Sequence, residues 1–245
     1  MERAERFGDP AAVPQAGSMM RWAITAAFLV NAALVGYGLA QTPAAARDDG
    51  GLIAVAALAI LWVTVLIGVW TGPLSATRVQ PAILKIGIAA GVGLGLLLGA
   101  ENLTEYLAPV TQDRSVVLGY TIIAAMVATF AIAGVLGARR GGTLRAGITA
   151  ALWAVVAEYV LWYAALLSSY YAFASGSRLE HVLQAEGTYA DFARSGMTDM
   201  KAFIMQDYLG AGFFHLLIGF VMASLFGGIG AGLTRLLQRQ MVAKR

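Results

Sequence analysis

Charge is scarce in this chain. Asp, Glu, Lys and Arg make up 13% of its 245 residues, against roughly 25% in a soluble domain. A water-soluble fold of this length could not cover its surface with so few charges, so lipid is the expected neighbour of the excess apolar side chains. Cysteine is absent, which excludes disulfides, thiolate metal sites and a cysteine nucleophile. Nucleotide-binding loops, metalloprotease motifs and serine elbows are missing too, and no mid-helix lysine offers a Schiff base. Only two histidines occur, and Met197, Met200, Met205, His181 and His215 follow no fixed spacing. Neither haem nor a metal site is therefore expected, and the sequence names no cofactor. The net charge of +3 does not point to nucleic acid, because the basic residues lie in short segments between apolar runs.

What the chain has instead is hydrophobic residues, at 59%, gathered into long stretches. A bilayer core of ~30 Å needs ~20 apolar residues in a helix. Six stretches qualify: 22–40, 51–74, 81–107, 115–138, 146–174 and 209–233. Pro81 suits a first helical position. Lys85 lies close enough to the start of the third stretch to extend its ammonium to the surface, and the fifth is interrupted by Glu158 alone. A membrane barrel would need short segments of alternating polarity, which these are not. The fold class is an all-α polytopic integral membrane helix bundle of six transmembrane helices over residues 19–238. A mobile tail is expected at 1–18 and a basic tail at 239–245. Between helices five and six, residues 175–208 mix charge with Leu179, Val182 and Leu183 at helical spacing. They predict one or two short amphipathic helices on the outer surface. Tyr170 and Tyr171 are expected in an outer aromatic belt.

Twelve of the seventeen basic residues fall in alternate segments that include both termini. By the positive-inside rule both termini are cytoplasmic, and a bacterial inner membrane is the expected location. The first stretch has signal-peptide features but is long for that purpose, so a retained helix is expected. The opposite side is acidic. There Glu101 and Glu105 share a helix face and, with Asp113, could form a cation-attracting vestibule or simply a solvated helix end.

Gly87, Gly91, Gly95 and Gly99 recur every four residues and place a side-chain-free stripe along the third helix, a signal for close helix packing. Packing within the chain is the favoured reading, with a second copy or another membrane subunit as the other partner. In the sixth helix His215 belongs to a line of small residues that includes Gly219 and Gly227, so it is expected inside the bundle. At ~1.5 Å per residue, Asn31, Glu158 and His215 come within roughly 7 Å of one another along the membrane normal. A carboxylate at that depth is costly and is a functional suspect by default. The expectation is one polar site in which Glu158 exchanges a proton or binds a cation, His215 is its partner and Asn31 hydrogen-bonds. Trp162, one turn beyond Glu158, would wall it. The alternative is structural glue between helices.

The chain is thus expected to be a small membrane protein working in transport or ligand binding, surrounded by lipid. A structural or accessory subunit of a larger complex is the second reading. An enzyme is the least expected, because no set of nucleophile, base and orienting group is present.

Overall fold

The computed structural model describes residues 12–47, 49–76, 78–108 and 112–243. Of the expected terminal tails, residues 1–11 and 244–245 lie outside the described residues, as does the side chain of Asp113. Eight α-helices follow in order: α1 (Ala12–Gln41), α2 (Asp49–Trp70), α3 (Pro81–Leu107), α4 (Gln112–Gly141), α5 (Leu144–Phe173), α6 (Ser177–Ala185), α7 (Thr188–Ser195) and α8 (Met200–Ala243). A short 3-10 turn, Pro43–Ala46, joins α1 to α2. Six of the helices are long and apolar enough to cross a bilayer, so the molecule is a polytopic membrane helix bundle.

The helix ends have local causes. Pro81 opens α3 after the extended Gln80, and Ala108, extended itself, closes it. The next residue in sequence is Pro109, which disfavours helical geometry in the residue before it. α2 stops at Trp70 and not at residue 74, because Gly72 and Pro73 end the run. The Gly72 amide turns back to the Ile67 carbonyl at 3.2 Å. Between α4 and α5 the chain reverses through Gly142, whose φ of 65° favours glycine. Thr143 then caps α5, its hydroxyl accepting from the Ala146 amide at 3.0 Å.

Two boundaries differ from the sequence expectation. Residues 12–18 belong to α1, not to a tail. α8 is 44 residues long, or ~66 Å at the helical rise, and reaches well past the 209–233 stretch at both ends. Asp199 starts it, accepting from the Lys201 and Ala202 amides at 2.9 and 3.2 Å. The apolar side of α6 also differs. Leu179, Val182 and Leu183 are buried against Tyr106, Tyr170 and Ile204, so α6 docks on the bundle's end instead of lying on lipid. Tyr170 is buried in that cluster, and the Tyr171 hydroxyl donates to the Leu34 carbonyl at 2.7 Å. Neither forms an outward belt.

α5 occupies the centre. In its apolar window 67% of residues are buried, against 17–39% in the other five spans. It is packed by α1, α3, α4 and α8, while α2 leans on α8. Outward, Leu29, Ile60, Leu96, Ile123 and Val221 stand exposed as the lipid-facing girdle. The α3 glycine stripe faces α5 in constant register. A methyl group on Gly95 would come 2.8 Å from the Glu158 carbonyl oxygen, and on Gly91 2.8 Å from the Ala157 Cβ. Gly93, off the stripe, has nothing within 4 Å.

Gly91→Leu or Gly95→Leu should therefore destabilise the bundle by about 1–3 kcal/mol through overpacking, while Gly93→Leu should leave it nearly unchanged. Thermal unfolding of the purified protein in detergent checks this. Equal effects at all three positions would deny the α3–α5 contact.

Candidate functional site

The site is built on α5 and α8, and small residues bring the two helices together. A methyl group on Gly212 would lie 2.6 Å from the Tyr163 ring, and one on Gly219 3.0 Å from Val155. Gly227 faces the Ala151 side chain in the same way. This proximity lets His215 reach across to Glu158. Its Nε2 lies 2.7 Å from Glu158 Oε1, with Glu158 fully buried and the His215 side chain 16% exposed. The imidazole stacks on Trp162, with centroids 3.8 Å apart and planes 16° off parallel. Glu158 and His215, expected to be partners from their depth and the small-residue face of the last helix, are in contact, and Trp162, one turn beyond Glu158, lies against the imidazole.

Asn31 is also fully buried, but it bonds elsewhere. Its Nδ2 donates to the Val160 carbonyl at 3.1 Å, tying α1 to the α5 backbone. Two buried oxygens in this region have no hydrogen-bond partner: Glu158 Oε2 and Asn31 Oδ1. Such groups are costly unless protonated or met by a ligand or water.

Around the pair lies an aromatic cluster that hydropathy did not single out. Trp62 Nε1 donates to the Tyr159 hydroxyl at 2.7 Å, joining α2 to α5. Tyr159 and Tyr163 stack at 5.5 Å, Phe28 of α1 lies 6.0 Å from Tyr159, and the Tyr163 hydroxyl donates to the Tyr208 carbonyl at 3.0 Å. A signal existed. An indole N–H deep in an apolar span is best satisfied by an acceptor inside the protein, and Tyr159 and Tyr163 share a face at i, i+4.

Glu101 and Glu105 sit at the α6–α7 end. Glu105 lines a cavity of about 580 Å³ with Arg178 and His181. Among the described residues no group of three or more His, Asp or Glu side chains is placed to hold a metal ion. The cavities described all lie at the two ends of the bundle, and none of them is lined by Glu158, His215 or Asn31. Comparison with protein-family models, with curated proteins and with solved structures returns no match to this chain.

The pair predicts a measurable coupling. Removing one partner of a buried ion pair costs about 3–5 kcal/mol. Glu158→Leu and His215→Leu together should cost less than the sum of the two, by about 0.5–3 kcal/mol. A double-mutant cycle on unfolding free energies reads this, and simple additivity would mean that the contact carries no energy.

At the α6–α7 end, Glu186 has its pKa pushed up from 4.5 to about 7. Partial loss of water around the carboxyl, whose residue still keeps an exposed face, is the main cause, followed by the Asp207 and Glu101 carboxylates. Its folded pKa exceeds the unfolded one, so its contribution is complete below about 4.5 and is lost as pH rises through about 7. Amide exchange in α6 and α7, corrected for intrinsic rates, should quicken from pH 5 to pH 8, and Glu186→Gln should remove the difference.

Proposed function

We propose that this chain is a small transport or ligand-binding membrane protein whose working group is the Glu158–His215 pair. One observation carries the reading. A fully buried carboxylate spends one oxygen on an imidazole at 2.7 Å and leaves the other, Oε2, unbonded. The shared proton of such a pair can sit on either partner, and both arrangements, carboxylate with imidazolium or carboxylic acid with neutral imidazole, are net neutral. Adding or removing one proton, or admitting a cation to Oε2, changes the charge at mid-membrane. That is the kind of bistable element on which coupled transport relies. Trp162 stacks on the imidazole at 3.8 Å and holds its plane toward Glu158. The excess of Lys and Arg at the end that carries Arg139, Arg140 and Arg145 supports cytoplasmic termini and an inner-membrane location.

A second reading has its own support. The described cavities stop at the bundle ends, which suits a structural or accessory subunit in which Glu158 and His215 are interhelical glue.

The test is reconstitution into vesicles that hold a pH-sensitive dye, with native mass spectrometry of the same preparations. The wild type is expected to move protons under an imposed potential or to retain a small molecule, and Glu158→Gln to lose that property. Identical behaviour of the two proteins would overturn the reading. Recovery in a defined hetero-oligomer, with neither flux nor ligand, would support the accessory role.

A further inference from the structure

The largest cavity described in the molecule lies far from Glu158, at the opposite end from α6 and α7. It is a recess open to the surface, of about 610 Å³, within the range of about 300–1,000 Å³ usual for ligand sites. Its walls come from the turn between α2 and α3, the end of α4 and the start of α5. Four spans therefore begin or end around it, which puts it at the level where hydrocarbon gives way to headgroups.

Its chemistry is one-sided. Arg78 and Arg145, from different connections, both line it, and no carboxylate does. Among the described residues neither arginine has an ion-pair partner. Both arginines are exposed at the cavity's rim, where they give it a net positive field that attracts an anion. Guanidinium forks match phosphate oxygens bidentately. Thr143 accepts from the Ala146 amide, so its hydroxyl proton remains to donate. The Gln80 amide, which makes no cap to α3, is a second neutral donor. Val79 and Ile83 supply an apolar wall. The first turns of α3 and α5 add a favourable partial positive charge.

We infer that this cavity binds a phosphate-bearing anion, held between Arg78 and Arg145. The source is either the headgroup of an anionic phospholipid or a water-soluble phosphate compound. The site shares no residue with the Glu158–His215 pair, so it stands or falls independently of the functional reading above.

The test uses the full chain purified in neutral detergent. Phosphatidylglycerol, phosphatidylcholine and glycerol 1-phosphate are titrated separately and binding is followed by native mass spectrometry. The wild type should bind phosphatidylglycerol at least about tenfold more tightly than phosphatidylcholine, the scale expected for charge-assisted hydrogen bonds. Arg78→Gln with Arg145→Gln should remove that preference, while Arg140→Gln with Arg239→Gln, the same charge change at the same end, should keep it. If glycerol 1-phosphate binds alone and displaces the lipid, the ligand is a soluble phosphate. If it does not bind, the ligand is the lipid. Each single arginine variant should show a partial loss, which decides the matter if the double variant fails to fold. A wild type without preference between the lipids and without affinity for glycerol 1-phosphate would overturn the assignment. So would equal losses in the cavity and control variants.

Discussion

Close backbone approach to α5 is the constraint on which the rest of this structure depends. In hydrocarbon, apolar side chains gain nothing by leaving lipid for protein, so helices must be held by contact geometry and by polar links. Glycine supplies the geometry. Gly87, Gly91, Gly95 and Gly99 let α3 lie against the α5 main chain, and Gly212, Gly219 and Gly227 do the same for α8. With neighbours this near on several sides, α5 has little surface left for lipid. A carboxylate at its midpoint is then enclosed by protein. Leucines on that face of α8 would hold it off α5 and move His215 away from Glu158.

The polar links follow from that enclosure. Asn31, Trp62, Tyr163 and Tyr171 each span two helices, and each donates to an oxygen on another helix. Three of those acceptors are backbone carbonyls, which already serve the helix ladder and have a second lone pair to give. Such bonds fix the rotation of each helix about its axis, something a smooth glycine contact alone does not do. They also explain why several polar side chains in these spans face inward.

Hydropathy made six spans legible because burial in lipid acts on every residue of a crossing helix alike. It failed where another force decided. Residues 200–208 carry Lys201 and Asp207 and do not read as a span, yet the Asp199 cap and the packing of Ala202 and Met205 carry the helix through them. α6 has the composition of a surface-lying helix, and whether its leucines meet lipid or Tyr106 and Tyr170 is a tertiary matter that periodicity cannot contain. For Glu158 and His215, depth plus a small-residue face was enough, since both were forced inward by cost. Asn31 shared their depth but not their azimuth. A neutral amide has no need of a charge partner and settled on the Val160 carbonyl.

The two ends of the bundle resolve opposite electrostatic problems. At one end desolvation, and after it the Asp207 and Glu101 carboxylates, raise the pKa of Glu186, so protonation relieves both. At the other end Arg78 and Arg145 line one cavity with no carboxylate among its walls, so the charge there is of one sign. One end is thus rich in carboxylates and the other in guanidinium groups, while the pair between them lies enclosed by protein at mid-bundle. No described cavity at either end is lined by Glu158 or His215, so the central pair is set apart from the charged ends by the packed helices.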